Sequence, residues 1–280
     1  MNQTFPDLIE IAVLSAIEAG KVLLKYYNKN YQILKKADDS PVTEADKKSE
    51  ETIIKYLTKT NIPIISEESS FIEYNERINY EQCWLIDPLD GTKEFINKNG
   101  EFTINIALIK GKDSNMGIIY SPLQGTLYIG SEETGSIKVL LNNNHHMSDN
   151  IKILPSNKET NLSIVVSRSH LDNETLNFIE HLKTKFNDIK IIKSGSAIKL
   201  CKVAEGEAQV YPRFGKTMEW DTAAGHAILK YSNAELYNFR TLEILTYNNR
   251  ETLVNPPFIA IRKDFQYFNE LLNLISHLSN

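Results

Sequence analysis

The sequence has few cysteines, and this limits the chemistry that cysteine could support. Only two, Cys83 and Cys201, occur in 280 residues, and they form no Cys-x-x-Cys pair. A paired-cysteine metal or redox motif is therefore excluded. Both lie in apolar segments, so we expect two small buried side chains in a reducing compartment.

The sequence also lacks concentrated positive charge. Lys and Arg total 31 against 36 Asp and Glu, the formal net charge is -5, and no run of five basic residues occurs. Binding to nucleic acid through a bulk electrostatic attraction is therefore not expected. If the substrate is an anion, a few local cations or metal ions must hold it.

Long apolar segments are absent as well. No stretch approaches the roughly 20 residues of a membrane-spanning helix, and Asp7, Glu10 and Glu18 interrupt the region where a signal peptide would be apolar. Hydrophobic residues make up 41% and charged residues 24% of the chain, which is typical of a globular protein. The expected location is the cytoplasm.

The first half of the chain predicts helices followed by strands. Helical periodicity covers 7–27, and a second helix is predicted from Thr43, with Asp46 three residues on in a capping-box arrangement. The apolar run Cys83–Ile86 predicts a strand that stops at Asp87-Pro88. Further strands are predicted at Phe102–Leu108, Met116–Tyr120 and Thr126–Ile129. This order favours an α+β domain over 1–150.

The second half alternates between the two periodicities. The predicted elements are strand Leu162–Ser167, helix Asp172–Phe186, strand Ile189–Ile192, helix Ser196–Gly206, strand Ala208–Tyr211 and a helix from about Asp221. Alternation of this kind favours an α/β domain over 151–280, separated from the first by the polar stretch 142–150. The tail after Arg262 has helical spacing and is expected to pack as a terminal helix. A weak oligomer contact or peripheral membrane association is the less favoured alternative.

Four short acidic features can carry chemistry, and they are Asp46, Glu67-Glu68, Asp87-Pro88-Leu89-Asp90 and Asp221. Magnesium prefers oxygen ligands, usually a few carboxylates together with water and phosphate. A proline-stiffened turn can aim Asp87, Asp90 and the Leu89 carbonyl at one point. Gly91 then permits a close backbone approach, and Thr92 offers a hydroxyl group.

Each feature also has an ordinary structural explanation. An Asp-Pro pair is commonly only a turn, Asp46 and Asp221 are acceptable helix caps, and Glu67-Glu68 alone is more often a solvated pair. Taken singly, Asp46 and Asp221 favour the capping interpretation. The conjunction of all four favours a metal site.

The order of these motifs resembles a known family. Ser66-Glu67-Glu68, Asp87-Pro88-Leu89-Asp90-Gly91-Thr92 and Trp220-Asp221 are similar to motifs of the inositol monophosphatase superfamily of lithium-sensitive, magnesium-dependent phosphatases. The match is closer to its bacterial 3'(2'),5'-bisphosphate nucleotidase branch, the CysQ type, and covers about Leu8 to about Arg262. The segments that resemble this branch are 36–43, 90–95, 99–103, 167–170, 203–206, 211–215 and 220–226.

The resemblance implies a fold and a set of metal ligands. The fold would be a layered αβαβα sandwich, with two sheet-containing subdomains and the site between them. Glu67, Asp87 and the Leu89 carbonyl would hold one magnesium ion, and Asp87, Asp90 and Asp221 a second. A third, weaker ion would lie beside Glu67. Asp46 and Thr92 would orient and deprotonate the attacking water.

The substrate-binding residues implied by the resemblance lie in both halves of the chain. They are Leu89, Asp90, Gly91, Thr92, Lys93, His170, Ser196, Lys199, Arg213 and Asp221. Ser196 and Lys199 stand at a predicted helix start, where free N–H groups favour a phosphate, and Arg213 can bind a second phosphate through two parallel N–H donors. Without the resemblance, an ordinary cap, an exposed lysine and a surface ion pair are the favoured explanations.

The histidines outside these motifs are not expected to bind ligands. His145, His146, His181 and His277 are expected at the surface, and His226 is expected either to buttress the metal loop or to pack.

Together these features predict the hydrolysis of adenosine 3',5'-bisphosphate to AMP and phosphate, with 3'-phosphoadenylyl sulfate as a second substrate. Such an activity would link the protein to sulfate assimilation. The alternatives are an inositol or sugar monophosphatase on the same scaffold, and a sensor that binds metal and nucleotide without turnover. Lys93 and the Lys199/Arg213 pair argue against the monophosphatase, and the complete acidic set argues against the sensor.

Overall fold

The structure, a computed structural model, describes residues 4–28, 33–35, 41–142, 147–156 and 161–278. Residues 36–40 of one quoted motif, as well as His145 and His146, lie outside this part of the chain. The side chain of Thr43, the expected helix cap, also lies outside it.

Helices and strands follow one another along the whole described chain. In order they are α1 (Phe5–Tyr27), β1 (Ile33–Lys35), β2 (Pro41–Thr43), α2 (Glu44–Leu57), a short 3-10 turn (Thr58–Thr60), β3 (Ile64–Ser66), α3 (Tyr74–Arg77), β4 (Gln82–Asp90), α4 (Thr92–Ile96), β5 (Thr103–Lys110), β6 (Asp113–Ser121), β7 (Thr126–Ser131), β8 (Gly135–Leu141), β9 (Met147–Ile153), β10 (Ser163–Ser167), α5 (Asn173–Lys183), β11 (Lys190–Ser194), α6 (Ile198–Glu205), β12 (Val210–Arg213), α7 (Glu219–Lys230), β13 (Ala234–Asn238), β14 (Phe258–Arg262) and α8 (Phe268–Leu278).

Two larger sheets organise these elements. The first has the strand order β3-β4-β5-β6-β7-β8-β9, in which β3 and β4 are parallel and the other neighbours antiparallel. The second has the order β11-β10-β12-β14-β13, with β10 parallel to both of its neighbours and β14 antiparallel to both of its own. A short hairpin pairs β1 with β2.

Three apolar cores hold five layers together. One core packs α1 and α2 against the first sheet, a second packs α6 and α7 between the sheets, and a third packs α5 and α8 against the second sheet. These layers confirm the expected αβαβα sandwich. The terminal helix α8 packs as expected, with Leu271 and Ile275 fully buried. No helix in the described ranges has both the length and the apolar character of a membrane span.

A glycine in β6 allows helix α7 to lie close to the first sheet. A Cβ atom at Gly117 would lie 2.0 Å from the carbonyl oxygen of Ala224, so a larger residue here would push the helix away. Ser114 Oγ, on the same strand, donates to the Ala223 carbonyl at 2.7 Å. Although α7 belongs to the second half of the chain, it is held directly on the first sheet.

Three local predictions differ from the structure. Strand β4 does not stop at Asp87-Pro88 but continues to Asp90 through a bulge. Helix α6 begins at Ile198 and not at Ser196, whose φ of 45° lies in the left-handed region. The polar stretch 142–150 was expected to be turn-rich, yet 147–153 forms β9, an edge strand paired with β8. The division of the chain into 1–150 and 151–280 stays a prediction.

Candidate active site

The parallel pairing of β3 with β4 brings the first two acidic motifs together. Ser66 is the register partner of Ile86, and the Glu67 N–H donates to the Ile86 carbonyl at 3.2 Å. Parallel strands end at the same edge of a sheet, so Glu67 leaves β3 beside Asp87 of β4. Two residues twenty positions apart in sequence therefore become neighbours.

The bulge in β4 brings Asp87 and Asp90 to one face of the sheet. In a regular strand, residues three apart point to opposite faces. Here Asp87 pairs with Asn105 and Asp90 with Thr103, so β4 contains one extra residue and both aspartates lie opposite same-face residues of β5. Pro88, which has no N–H to donate, falls within the bulge.

Asp221 reaches the same place from α7. It is the third residue of that helix and accepts the Met218 N–H at 2.7 Å, so it does act as the predicted cap. It also completes a cluster, because one carboxylate oxygen each of Glu67, Asp87 and Asp221 lie within 4.8 Å of one another. The capping and ligand interpretations of Asp221 are thus compatible.

Asp90 borders this cluster with much of its hydrogen-bonding capacity already used. Its Oδ2 atom accepts the Ala197 N–H at 2.5 Å and the Asn105 amide at 3.2 Å. The Ala197 bond takes one of the N–H groups that were expected to be free for a phosphate at the start of α6.

The electrostatics of the cluster are those of a site that needs a cation. Burial raises the pKa of Asp87 well above its usual range, and the charges of Glu67, Asp90 and Asp221 raise it further. Burial also raises the pKa of Asp221 well above its usual range, and the charges of Asp90 and Glu67 add to this rise. A donor set made only of oxygen atoms, with uncompensated negative charge, fits a hard divalent cation.

Asp46 and Thr92 meet beside this cluster. Asp46 lies in α2 and is 1% exposed, and its Oδ1 atom is 3.2 Å from the Thr92 hydroxyl. Ser49, one turn further along α2, donates to the Pro88 carbonyl at 2.7 Å and so fixes the helix against the bulge. Thr92 Oγ1 also lies 3.3 Å from the Leu89 carbonyl oxygen.

Gly91 makes the turn that exposes Thr92. Its φ of 87° is in the left-handed region, and a Cβ atom there would lie 3.1 Å from the Glu101 carbonyl oxygen. A side chain would therefore be strained in conformation and crowded in space. Short helix α4 starts directly after this turn.

A cleft of about 530 Å³ opens over the cluster. Ten of the predicted site residues line it, namely Glu67, Asp90, Gly91, Thr92, Lys93, His170, Ser196, Lys199, Arg213 and Asp221. Asp46, Asp87 and Leu89, which are not among the lining residues, are almost completely buried. The structure thus brings all the predicted residues to one place, and their individual roles stay predictions.

Two buried cations line the cleft. Lys199 is 7% exposed, its Nζ donates to the Ser196 carbonyl at 2.5 Å, and burial lowers its pKa. Arg213 is 9% exposed and donates to the carbonyl oxygens of His170 at 2.9 Å and Lys216 at 3.3 Å. Its buried Nε has no hydrogen-bond partner among the described residues. Neither residue is the exposed lysine or surface ion pair that sequence alone favoured.

Lys93 and His170 meet at the cleft from opposite halves of the chain. Lys93 Nζ lies 3.0 Å from His170 Nε2. Partial burial of the ring, together with the charges of Lys93 and Arg213, lowers the pKa of His170. A neutral imidazole can accept a hydrogen bond from the Lys93 ammonium group.

Sequence reasoning assigned no role to two acids beside the cleft. Glu94 is 5% exposed, lines the cleft and accepts the Ser169 hydroxyl at 2.5 Å. Glu101 accepts two bonds from Arg168, at 2.7 and 2.8 Å, and the Gly195 N–H at 2.8 Å. All of these residues except Gly195 fall within the segments that resemble the family. Their position in those segments was the signal from which a role could have been predicted.

The remaining histidines behave largely as expected. His181 and His277 are exposed. His226 is buried, with Nδ1 3.0 Å from the Tyr247 hydroxyl and Nε2 2.8 Å from Glu235. It packs within α7 and has its own polar partners.

Comparison with known proteins gives a consistent result. The family model described as the inositol monophosphatase family matches residues 6–261. The chain is 37% identical over 261 residues to the 3'(2'),5'-bisphosphate nucleotidase CysQ of Salmonella typhimurium, covering 90% of this chain and 98% of that protein. It is 40% identical over 276 residues to the protein of the same name from Buchnera aphidicola, covering 93% and 96%.

A solved structure agrees with these relatives. The crystal structure of CysQ from Bacteroides thetaiotaomicron, a bacterial member of the inositol monophosphatase family, superposes with a TM-score of 0.84 at 42% identity, covering 92% of this chain and 98% of that one. The resemblance drawn from the sequence motifs is confirmed: the chain belongs to the inositol monophosphatase family.

Proposed function

We propose that the protein hydrolyses the 3'-phosphate of adenosine 3',5'-bisphosphate to give AMP and phosphate, and that it accepts 3'-phosphoadenylyl sulfate as a second substrate. The observation that carries the proposal is the pairing, in one cleft, of an oxygen-only acidic cluster with the buried cations Lys199 and Arg213. A monophosphate would occupy the acidic cluster alone. A second phosphate gives the buried cations a partner.

The names of the relatives support the same substrate class. The proteins from Salmonella typhimurium and Buchnera aphidicola are 3'(2'),5'-bisphosphate nucleotidases, and this chain matches them over nearly its whole length. The enzyme class of the chain is therefore that of a 3'(2'),5'-bisphosphate nucleotidase. The choice among bisphosphate substrates rests on the cleft.

The acidic cluster is the proposed magnesium site. Glu67, Asp87 and the Leu89 carbonyl would hold one ion, and Asp87, Asp90 and Asp221 a second, with a third bound more weakly beside Glu67. Magnesium bound there supplies the positive charge that a phosphoryl group requires during its transfer to water. The same charge offsets the mutual repulsion of carboxylates in a protein whose net charge is already negative.

The chain's own residues supply the proton acceptor and the side chains that bind the substrate. Asp46 and the Thr92 hydroxyl, 3.2 Å apart, are placed to orient a water molecule and to accept its proton. Lys199, Arg213 and Lys93 bind the 5'-phosphate, and His170 and Ser196 line the same cleft. The 3'-phosphate then lies over the carboxylates.

Phosphate release from two substrates tests the proposal. Purified protein is assayed with adenosine 3',5'-bisphosphate and with inositol monophosphate, each with magnesium and with EDTA. We expect turnover of the nucleotide, only with magnesium. Turnover of inositol monophosphate alone would instead support the monophosphatase alternative, and nucleotide binding without turnover would support a sensor.

A further inference from the structure

Arg77 is a buried charged side chain to which the proposed reaction assigns no role. It ends α3, within the segment 69–82 that follows the acidic motif at Glu67, and its side chain is 0% exposed. An arginine is almost never buried this completely unless its guanidinium has partners.

Within the described ranges, the hydrogen-bond acceptors of the Arg77 guanidinium lie in one distant segment, 248–251. Its Nη1 donates to Asn248 Oδ1 at 2.9 Å, and its Nη2 donates to the carbonyl oxygens of Arg250 and Glu251, both at 2.7 Å. Asn248 returns a bond, because its side-chain amide donates to the Arg77 carbonyl at 2.7 Å. Four hydrogen bonds therefore tie the 69–82 segment to residues more than 170 positions away.

The same distant segment also forms hydrogen bonds with Glu219, the first residue of α7. Glu219, 0% exposed, accepts the Asn248 N–H at 2.6 Å and a guanidinium N–H of Arg250 at 2.8 Å. Its own N–H donates to the Leu253 carbonyl at 2.8 Å. Glu219 stands two residues before Asp221, so these bonds fix the helix turn that carries the Asp221 carboxylate.

We propose that Arg77 is a positioning residue for the acidic cluster: through Asn248 and Glu219 it fixes the first turn of α7 against the segment that begins at Glu67. Glu67 follows a strand of the first sheet and Asp221 lies in helix α7, so their separation depends on how the helix is held against the sheet. Removing a partner from a buried polar network leaves the others to rearrange. The inference rests on the proposed metal site and deepens it, because it names what sets the spacing of two of its ligands.

A purely structural role for Arg77 makes a different prediction, and Arg262 provides the matched control. Arg262 is also an almost completely buried arginine (3% exposed), and it bonds the carbonyl oxygens of Val203 and Ala204 and the carboxylate of Asp264. Val203 and Ala204 lie at the end of α6 away from Lys199. Replacing Arg262 should reduce stability without reaching the acidic cluster.

The test measures metal binding directly. Mn²⁺, as a stand-in for magnesium, is titrated into wild type, Arg77→Met and Arg262→Met, free Mn²⁺ is followed by electron paramagnetic resonance, and the melting temperature of each protein is recorded. We expect Arg77→Met to weaken Mn²⁺ binding about tenfold, the size of effect typical of residues that orient metal ligands. Arg262→Met should lower the melting temperature while keeping wild-type Mn²⁺ affinity.

Equal Mn²⁺ affinities in Arg77→Met and wild type would overturn the inference, as would equal losses in both variants. If Arg77→Met does not fold, Arg77→Lys takes its place. Lysine keeps the charge but cannot reach Asn248 and both carbonyls at once, so weakened binding supports the inference and unchanged binding overturns it. The titration requires no turnover, so a wild type that binds Mn²⁺ without hydrolysing the nucleotide contradicts the proposed function alone.

Discussion

The two sides of the cleft are built by different means. On the acidic side, backbone pairing places the carboxylates: the β3–β4 register sets Glu67 beside Asp87, and the bulge turns Asp90 to the same face. On the cationic side, side-chain hydrogen bonds to carbonyl oxygens hold the two cations: Lys199 donates one such bond and Arg213 donates two.

The charges on the two sides are also compensated differently. Burial and the neighbouring carboxylates raise the pKa of Asp87 and of Asp221, whereas the cations are hydrogen-bonded to neutral carbonyl oxygens that leave their charge largely available. One side therefore needs a cation and the other can accept an anion. Carboxylates placed by the backbone keep the fixed geometry that a reaction requires. Cations placed by their side chains are suited to binding the substrate.

The largest effect should follow from removing a carboxylate that backbone pairing places. Asp87→Asn is isosteric and keeps an oxygen for the Leu89 N–H, but removes the charge at the centre of the cluster. We expect kcat/KM to fall at least about 1,000-fold, measured as phosphate release at saturating magnesium. Asp113→Asn, at an exposed acid of the same sheet, is the control, and near-normal activity of Asp87→Asn would mean that the cluster is not the metal site.

Removing the proposed proton acceptor should cost less and should separate binding from turnover. Asp46→Asn keeps the shape of a buried residue next to Thr92 but removes its basicity, so kcat should fall about 100-fold. Nucleotide affinity, measured by calorimetry with magnesium present, should be unchanged. Glu51→Gln, on the exposed face of the same helix, should leave kcat unchanged, and full activity in Asp46→Asn would mean that Asp46 is only a capping residue.

The cationic side should affect KM more than kcat. In Arg213→Met we expect KM for adenosine 3',5'-bisphosphate to rise about 10- to 100-fold, the value of a hydrogen bond between charged groups. The rise should vanish with 3'-AMP, which has no 5'-phosphate, and should be absent in Arg240→Met, an exposed arginine of the same half. An equal effect on both substrates would show that Arg213 acts on structure and not on the second phosphate.

The smallest effect concerns stability, and its sign is opposite to that on activity. A carboxylate whose folded pKa is raised binds protons more tightly in the folded state, so the metal-free protein loses stability as pH rises through that range. Asp87→Asn removes this loss. In EDTA at pH 8 we expect its melting temperature to exceed that of wild type by about 2–4 °C.

Two conditions check that sign. The stability difference between Asp87→Asn and wild type should shrink as the pH is lowered, and it should reverse when magnesium is added. A lower melting temperature for Asp87→Asn in EDTA at every pH would contradict the electrostatic description of the cluster.

Sequence predicted the acidic side better than the cationic side, and the reason is physical. A site for a hard cation restricts its residues to oxygen donors, so Glu67, Asp87 and Asp221 are recognisable from their motifs as candidate ligands. The start of helix α6 was predicted wrongly at Ser196. Its φ lies in the left-handed region, which is unusual for a serine, and the helix begins only at Ile198. Arg213 binds the carbonyl oxygens of His170 and Lys216, and the first of these contacts joins residues that are too far apart for a local pattern to encode.

Other features leave no local signal at all. Strand β9 carries the exposed residues Ile151 and Ile153 and pairs along only one edge, so its sequence resembles a loop more than a core strand. The contacts of Arg77 with Asn248 join residues 171 positions apart, a separation that periodicity cannot detect.

The glycine contact beneath α7 has a consequence for dividing the protein. Because Gly117 seats α7 on the first sheet, a fragment ending at residue 150 would lack the helix that covers one face of that sheet. The complementary fragment would carry Asp221 without its neighbours. Separately expressed halves should thus form the cleft only when they associate. The protein is therefore a candidate for split-enzyme complementation, in which phosphate release would report the association of the two halves.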